Sequence, residues 1–163
     1  MKKLSTKCYL LRIWRSKLDL KHLLPIYRAY VETHIRYGFH FWGHVNVNPV
    51  LVAQKRCLRA MCGLCRRYSC RSVFVKLQVM TVVNLYIYEA AQYVHKNKYV
   101  IFTSVHQYST RNCDSIMFGW RKDHNKLLYN IRSSPSTSFK KYLRELLLTN
   151  CFYSLNQFFM CKF

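Results

Sequence analysis

The chain has 163 residues, with 27 Lys and Arg against 6 Asp and Glu for a formal net charge of +21, and 51% of its residues are hydrophobic. That length holds one domain at most, or a piece of one, and so apolar a composition with only 4 Gly and 3 Pro excludes a disordered basic tail. The basic excess implies a polyanionic partner, nucleic acid before an anionic membrane surface. The six carboxylates, Asp19, Glu32, Glu89, Asp114, Asp123 and Glu145, are too scattered in sequence to form an obvious metal-holding or acid/base pair.

In chain order, Met1-Lys2-Lys3 and then Cys8 to Leu11 imitate a signal peptide. Arg12 and Arg15 cut the apolar segment short, so it reads as an amphipathic helix of a protein that is not secreted. Asp19 to Arg36 carries a helical stripe at Leu23, Tyr27, Tyr30 and His34, with Leu24, Val31 and Ile35 beside it and Pro25 near its first turn. Tyr37-Gly38 ends it, and an aromatic stretch, Phe39 to Gly43, follows. The charge-free run from Tyr37 to Gln54 contains Gly38, Gly43 and Pro49 and is no membrane span.

Val50 to Cys62 resumes helical spacing through Leu51, Gln54, Leu58 and Met61, with Gly63 as a left-handed cap. Arg71 to Leu77 reads as a short helix. Thr81 caps a longer one in which Val83, Ile87, Ala90 and Val94 repeat, closed by Lys96, Asn97 and Lys98. Residues 99–137 are irregular. Ser138 then caps Phe139 to Thr149, whose apolar face is Phe139, Tyr142, Leu143, Leu146 and Leu147, and Ser154 to Phe159 forms a final turn. The expectation is an all-α fold of about five amphipathic helices, divided into a helical region at 1–98 and a tail region at 99–163. Phe152, Phe158, Phe159 and Phe163 read as exposed aromatics suited to contact with a further domain.

The stretch holding Lys55, Arg56, Arg59, Arg66, Arg67, Arg71 and, at its margin, Lys76 lies between Glu32 and Glu89 without one carboxylate. These residues are candidate phosphate neutralisers; Lys55 and Arg59, four apart, share a helix face. Nothing here reads bases, so no sequence specificity is expected. Cys57, Cys62, Cys65 and Cys70 cluster in the same place, and a structural zinc held by four thiolates is the alternative reading. Two of them fall on one continuous helix and the spacing is not that of a zinc ribbon, which favours packed, reduced thiols. His34, His40 and His44 read as structural. Trp42, Tyr86, Tyr88 and Tyr93 are either base-stacking platforms or core, and helical spacing favours core. No glycine-rich phosphate loop, GxSxG elbow or HExxH motif occurs.

Several segments together resemble one family. They are Leu24-Pro25 with Tyr27 and Tyr30, His34-Ile35-Arg36-Tyr37-Gly38, Phe41-Trp42-Gly43, Gln54-Lys55-Arg56, Cys62-Gly63, Ser69-Cys70-Arg71 and Leu85 to Glu89. Later come His106 with Tyr108 to Asn112, Leu128-Tyr129-Asn130 and Cys151 to Ser154. Their order and spacing resemble the region after the palm, the thumb and tail, of jockey-like non-LTR (LINE-type) retrotransposon reverse transcriptases. The resemblance implies a C-terminal, thumb-like fragment of an RNA-directed DNA polymerase. The family's aromatic-Ala-Asp-Asp metal-binding motif has no counterpart in this sequence.

The implied function is non-catalytic binding of RNA or DNA, without sequence specificity, through the basic helices. Under that resemblance the chain carries no cofactor, since the parent enzyme's divalent metal sits in the palm. Its partners are a nucleic acid and a polymerase palm, with no membrane, and its compartment is intracellular, nucleus or cytoplasm. The alternatives are a stand-alone zinc-stabilised interaction module, or a truncated element copy with no selected function.

Overall fold

Leu4, Cys8, Leu11 and Trp14 recur at steps of three and four, and they form the inward stripe of α1 (Lys2–Arg15), with Leu4 and Leu11 buried. Arg12 and Arg15 occupy its last turn, where positive charge favours the negative end of the helix dipole. The computed structural model describes residues 2–37, 47–96 and 135–161. These build an all-α fold, with no strand among the described residues.

The second helical stretch is not the uninterrupted helix expected. α2 (Leu20–Tyr27) runs into a π-helical turn, Arg28–Glu32, and then into α3 (Thr33–Arg36), with helical dihedrals at each joint. The stripe is corrected accordingly: Leu23, Tyr27, Val31 and Ile35 are the buried positions, whereas Tyr30 is 51% exposed and His34 half-buried. Steps of four drift by about 40° each around a helix of 3.6 residues per turn. The wider π turn absorbs an extra residue and holds the four on one face. Two carbonyls of that turn accept side-chain hydrogens, Tyr30 O from Lys7 Nζ and Ala29 O from Thr33 Oγ1.

α4 (Asn48–Cys62) starts with Pro49 in its first turn and buries Leu51, Gln54, Cys57, Leu58 and Met61. It ends as the sequence predicts, on Gly63 in the left-handed region at φ 67°, with the Leu64 N–H donating to Arg59 O at 2.9 Å. A Cβ at Gly63 would fall 1.8 Å from Cζ of Arg15, which lies against the turn. Gly63→Ala is therefore expected to cost about 1 kcal/mol through the left-handed backbone alone, read as a lower urea midpoint, and to push the Arg15 guanidinium aside.

α5 (Arg71–Lys76) is the short helix expected. α6 (Val82–Lys96) is capped by Thr81, whose Oγ1 accepts the Asn84 N–H at 3.0 Å and donates to Phe152 O at 2.7 Å. Val83, Ile87, Ala90 and Val94 are buried as expected, and so are Val82, Leu85, Tyr86 and Ala91, which makes α6 the central helix of the core. The base-stacking reading of Tyr86 fails on that burial. α7 (Ser136–Thr149) begins three residues before the expected start at Phe139. Pro135, with φ −56° and ψ 152°, feeds the chain into the helix, so Ser138 lies inside the first turn and is not the cap. Phe139, Leu143, Leu147 and Leu148 are buried, while Tyr142, expected on the apolar face, is exposed.

α8 (Leu155–Met160) is capped by Ser154 Oγ, which accepts the Gln157 N–H at 3.3 Å, and Gln157 Oε1 accepts the Tyr153 N–H at 2.8 Å. Phe152 and Phe158 are buried, with ring centroids 5.6 Å apart, which corrects the expectation of exposed aromatics there. α1 lies along α4 and α7 along α6, and one apolar cluster takes residues from both sides of position 98. The expected boundary thus does not separate two cores among the described residues. The aromatic stretch Phe39 to Gly43 with Trp42, His40 and His44, the His106 to Asn112 segment, Phe163 and nearly all of the irregular 99–137 segment lie outside the described residues.

Gln54 joins three elements at the centre. Its Nε2 donates to Met80 O at 2.9 Å and to the Tyr27 hydroxyl oxygen at 3.1 Å, and its Oε1 accepts the Val82 N–H at 2.8 Å. Complete burial pushes the Tyr27 phenol well above its usual range. A group whose folded-state pKa is raised favours folding below its unfolded value, and that contribution fades as pH rises. Stability is accordingly expected to fall above about pH 10, and Tyr27→Phe to flatten that alkaline slope in thermal melts.

Candidate nucleic-acid interface

The α1–α4 contact brings together cations that are far apart in sequence. Arg12 and Arg15, three apart on α1, come beside Arg56 and Arg59, three apart on α4, next to the seam where Leu4, Leu11, Leu58 and Met61 are buried. Arg66, from the loop after Gly63, closes the group. The five arginines line one cavity of about 580 Å³, which also contains Cys8, Ala60, Gly63 and Leu64. Arg59 Nε donates to Tyr68 O at 3.0 Å, anchoring the loop that carries Arg66.

No carboxylate neutralises this group among the described residues. Lys21 pairs with Asp19 at 3.8 Å, and Arg36 pairs with Glu32 at 3.1 Å and Glu89 at 3.4 Å; Glu145 stands exposed on α7. Five guanidiniums in one concave site present planar forks of donors, the geometry that suits phosphate or carboxylate oxygens.

The candidates named from sequence separate into groups. Arg56, Arg59 and Arg66 join the cavity. Arg67 is exposed beside Arg66 and does not line it. Lys76 borders a neighbouring, largely apolar cavity of about 500 Å³ that it shares with Arg15. Lys55 and Arg71 are held elsewhere: the Lys55 ammonium lies 3.5 Å from the centroid of the Tyr153 ring and the Arg71 guanidinium 4.8 Å. Burial lowers the pKa of that lysine from its usual value. The pairing of Lys55 with Arg59 as adjacent phosphate contacts is therefore replaced by a clamp of Lys55 and Arg71 on the tail. Tyr153→Leu is expected to destabilise the fold by about 1 kcal/mol, seen in urea unfolding, with little effect at the arginine cavity.

The four clustered cysteines point to different places. Cys57 is buried, with Sγ 3.9 Å from Leu4 O. Cys70 Sγ lies 3.8 Å from Lys55 O, Cys62 borders the apolar cavity and Cys65 is exposed. Among the described residues no three His, Cys, Asp or Glu side chains gather where they could hold a metal ion. Arg12 and Arg15 were missed as site residues from sequence. The available signal was their spacing of three in the last turn of α1, next to the stripe that buries Leu4 and Leu11.

No protein-family model, curated protein or solved structure matches this chain. The functional reading rests on its own residues.

Proposed function

We propose that the chain binds RNA or DNA through backbone phosphates, without reading bases and without performing nucleotide transfer. The observation that carries this reading is the cavity of Arg12, Arg15, Arg56, Arg59 and Arg66, with no carboxylate bordering it among the described residues. A guanidinium forks onto two phosphate oxygens, and clustering five of them releases counterions from a nucleic acid, which makes binding favourable and steeply salt-dependent. Arg67 extends the basic surface from the rim, and Lys55 and Arg71 contribute only long-range field because Tyr153 holds them.

The resemblance to the thumb and tail of jockey-like non-LTR reverse transcriptases fits this division of labour. There, the basic helices grip a primer–template duplex while a separate palm holds the divalent metals and the reacting groups. This chain is read as such a palm-less fragment, working in the nucleus or cytoplasm beside a palm supplied by another segment or chain.

The test is a titration of a labelled primer–template duplex with the full chain across salt concentrations, with circular dichroism on the same samples. Contact with five phosphates predicts a slope of log K on log salt near about −4.5, the same for unrelated sequences. Helical protein with a slope near zero would refute the reading.

A further inference from the structure

The cavity beside the arginine cavity differs from it in kind. It encloses about 500 Å³ where the α1–α2 turn, the end of α4 and α5 converge without closing on one another. Leu18 and Leu20 come from that turn and the start of α2, Met61 and Leu64 from either side of Gly63, and Val73 and Leu77 from α5 and the residue after it. Met61 and Val73 are buried, whereas Leu18 and Leu20 remain 37% and 39% exposed, apolar surface that a ligand could take out of water.

Two cations border this apolar lining, Arg15 and Lys76, and no carboxylate does among the described residues. The Arg15 guanidinium lies against Gly63, and Arg15 and Leu64 line the arginine cavity as well, so the positive charge is concentrated at the side where the two cavities meet. Cys62 also borders the apolar cavity, and burial pushes its thiol up, so it adds no negative charge. The volume is that of a small-molecule site. A bare phosphate would leave the leucines uncovered, and a neutral hydrocarbon would engage neither cation. A ligand with an aliphatic body and an oxyanion at one end satisfies both.

We propose that this cavity binds a free medium-chain fatty carboxylate, its tail against Leu18, Leu20, Met61 and Leu77 and its head at Arg15 and Lys76. The guanidinium donates to both carboxylate oxygens, and the ammonium adds a point charge. Affinity grows with each methylene that leaves water until the cavity is filled.

Isothermal titration calorimetry of the full chain with hexanoate, octanoate and decanoate, each below the concentration at which it forms micelles, tests this. One saturable site is expected, tightening about tenfold for every two methylenes added. Octan-1-ol, with the tail length of octanoate and no charge, should bind several-fold more weakly. Lys76→Gln should weaken octanoate several-fold and leave octan-1-ol unchanged, while Lys140→Gln, exposed on α7 and outside the cavity, should change neither. Leu20→Glu sets a like charge at the open side, in the first turn of α2 where an acidic residue suits the helix dipole, and should abolish octanoate binding with circular dichroism unchanged. Lys76 is exposed, so its variant decides the matter even where Leu20→Glu fails to fold. The proposal is overturned if no saturable binding is seen, the result expected where another segment or a protein partner covers the cavity. It is equally overturned if hexanoate and decanoate bind alike, or if Lys140→Gln weakens octanoate as much as Lys76→Gln, the mark of a diffuse attraction of anions to a basic surface.

Discussion

Replacing Asn84 with leucine is expected to lower the stability of the fold by about 3 kcal/mol, because two buried hydrogen-bonding groups and a part-buried one lose their partner at once. Asn84 sits on α6, 1% exposed. Its Nδ2 donates to Leu147 O and to Asn150 O, the latter at 2.7 Å, and its Oδ1 accepts the Phe152 N–H at 3.3 Å. The last carbonyls of a helix have no partner within it, and Asn84 supplies one for α7 from the neighbouring helix. Leucine fills the volume but satisfies none of these groups. Urea unfolding measures the loss, and limited proteolysis should show cleavage moving into residues 147–153. An unchanged midpoint would mean that the tail does not dock on α6.

The other large effect concerns the arginine cavity. Reversing Arg12, Arg56 and Arg66 to glutamate is expected to weaken duplex binding at least about a hundredfold at low salt and to reduce the salt slope by about three. These three are chosen because each is exposed and none makes an ion pair or hydrogen bond with another described residue, so the helices that carry them should fold as before. Arg59 is left in place since it holds Tyr68 O, and Arg15 because it lies against Gly63. Circular dichroism of the variant checks that the helices persist.

Local signals were legible in the sequence. The helical spacing of Leu51, Gln54, Leu58 and Met61, the left-handed Gly63 and the Thr81 cap all follow from residues within one or two turns of each other, and the structure has them where expected. What depended on distant partners was not legible. The π turn at Arg28–Glu32 shifts the buried positions from Tyr30 to Val31, a choice set by what the helix packs against and not by its own propensity. Phe152 and Phe158 read as exposed because nothing near them in sequence shows that α6 and α7 receive them.

The site divides in the same way. Counting charges between Glu32 and Glu89 found Arg56, Arg59 and Arg66, yet it could not show that Lys55 and Arg71 are already engaged by Tyr153, some 80 to 100 residues onward. Nor could it show that α1 brings Arg12 and Arg15 to the same cavity. Net charge is additive along a chain, whereas the fields that bind an anion depend on which cations converge and which are held elsewhere.

The central claim is that this cavity, and not the overall charge of +21, engages nucleic acid. Lys140, Lys141 and Arg144 on α7 provide the matched control, being exposed and outside the cavity. Duplex affinity would be measured across salt concentrations for the unmodified chain, for the triple reversal at Arg12, Arg56 and Arg66, and for reversal to glutamate at the three α7 positions. Both variants lose the same net charge. The account predicts a large loss of affinity and of salt slope for the cavity variant and a small loss for the α7 variant. Equal losses would contradict it, leaving only a diffuse attraction between a basic protein and a polyanion.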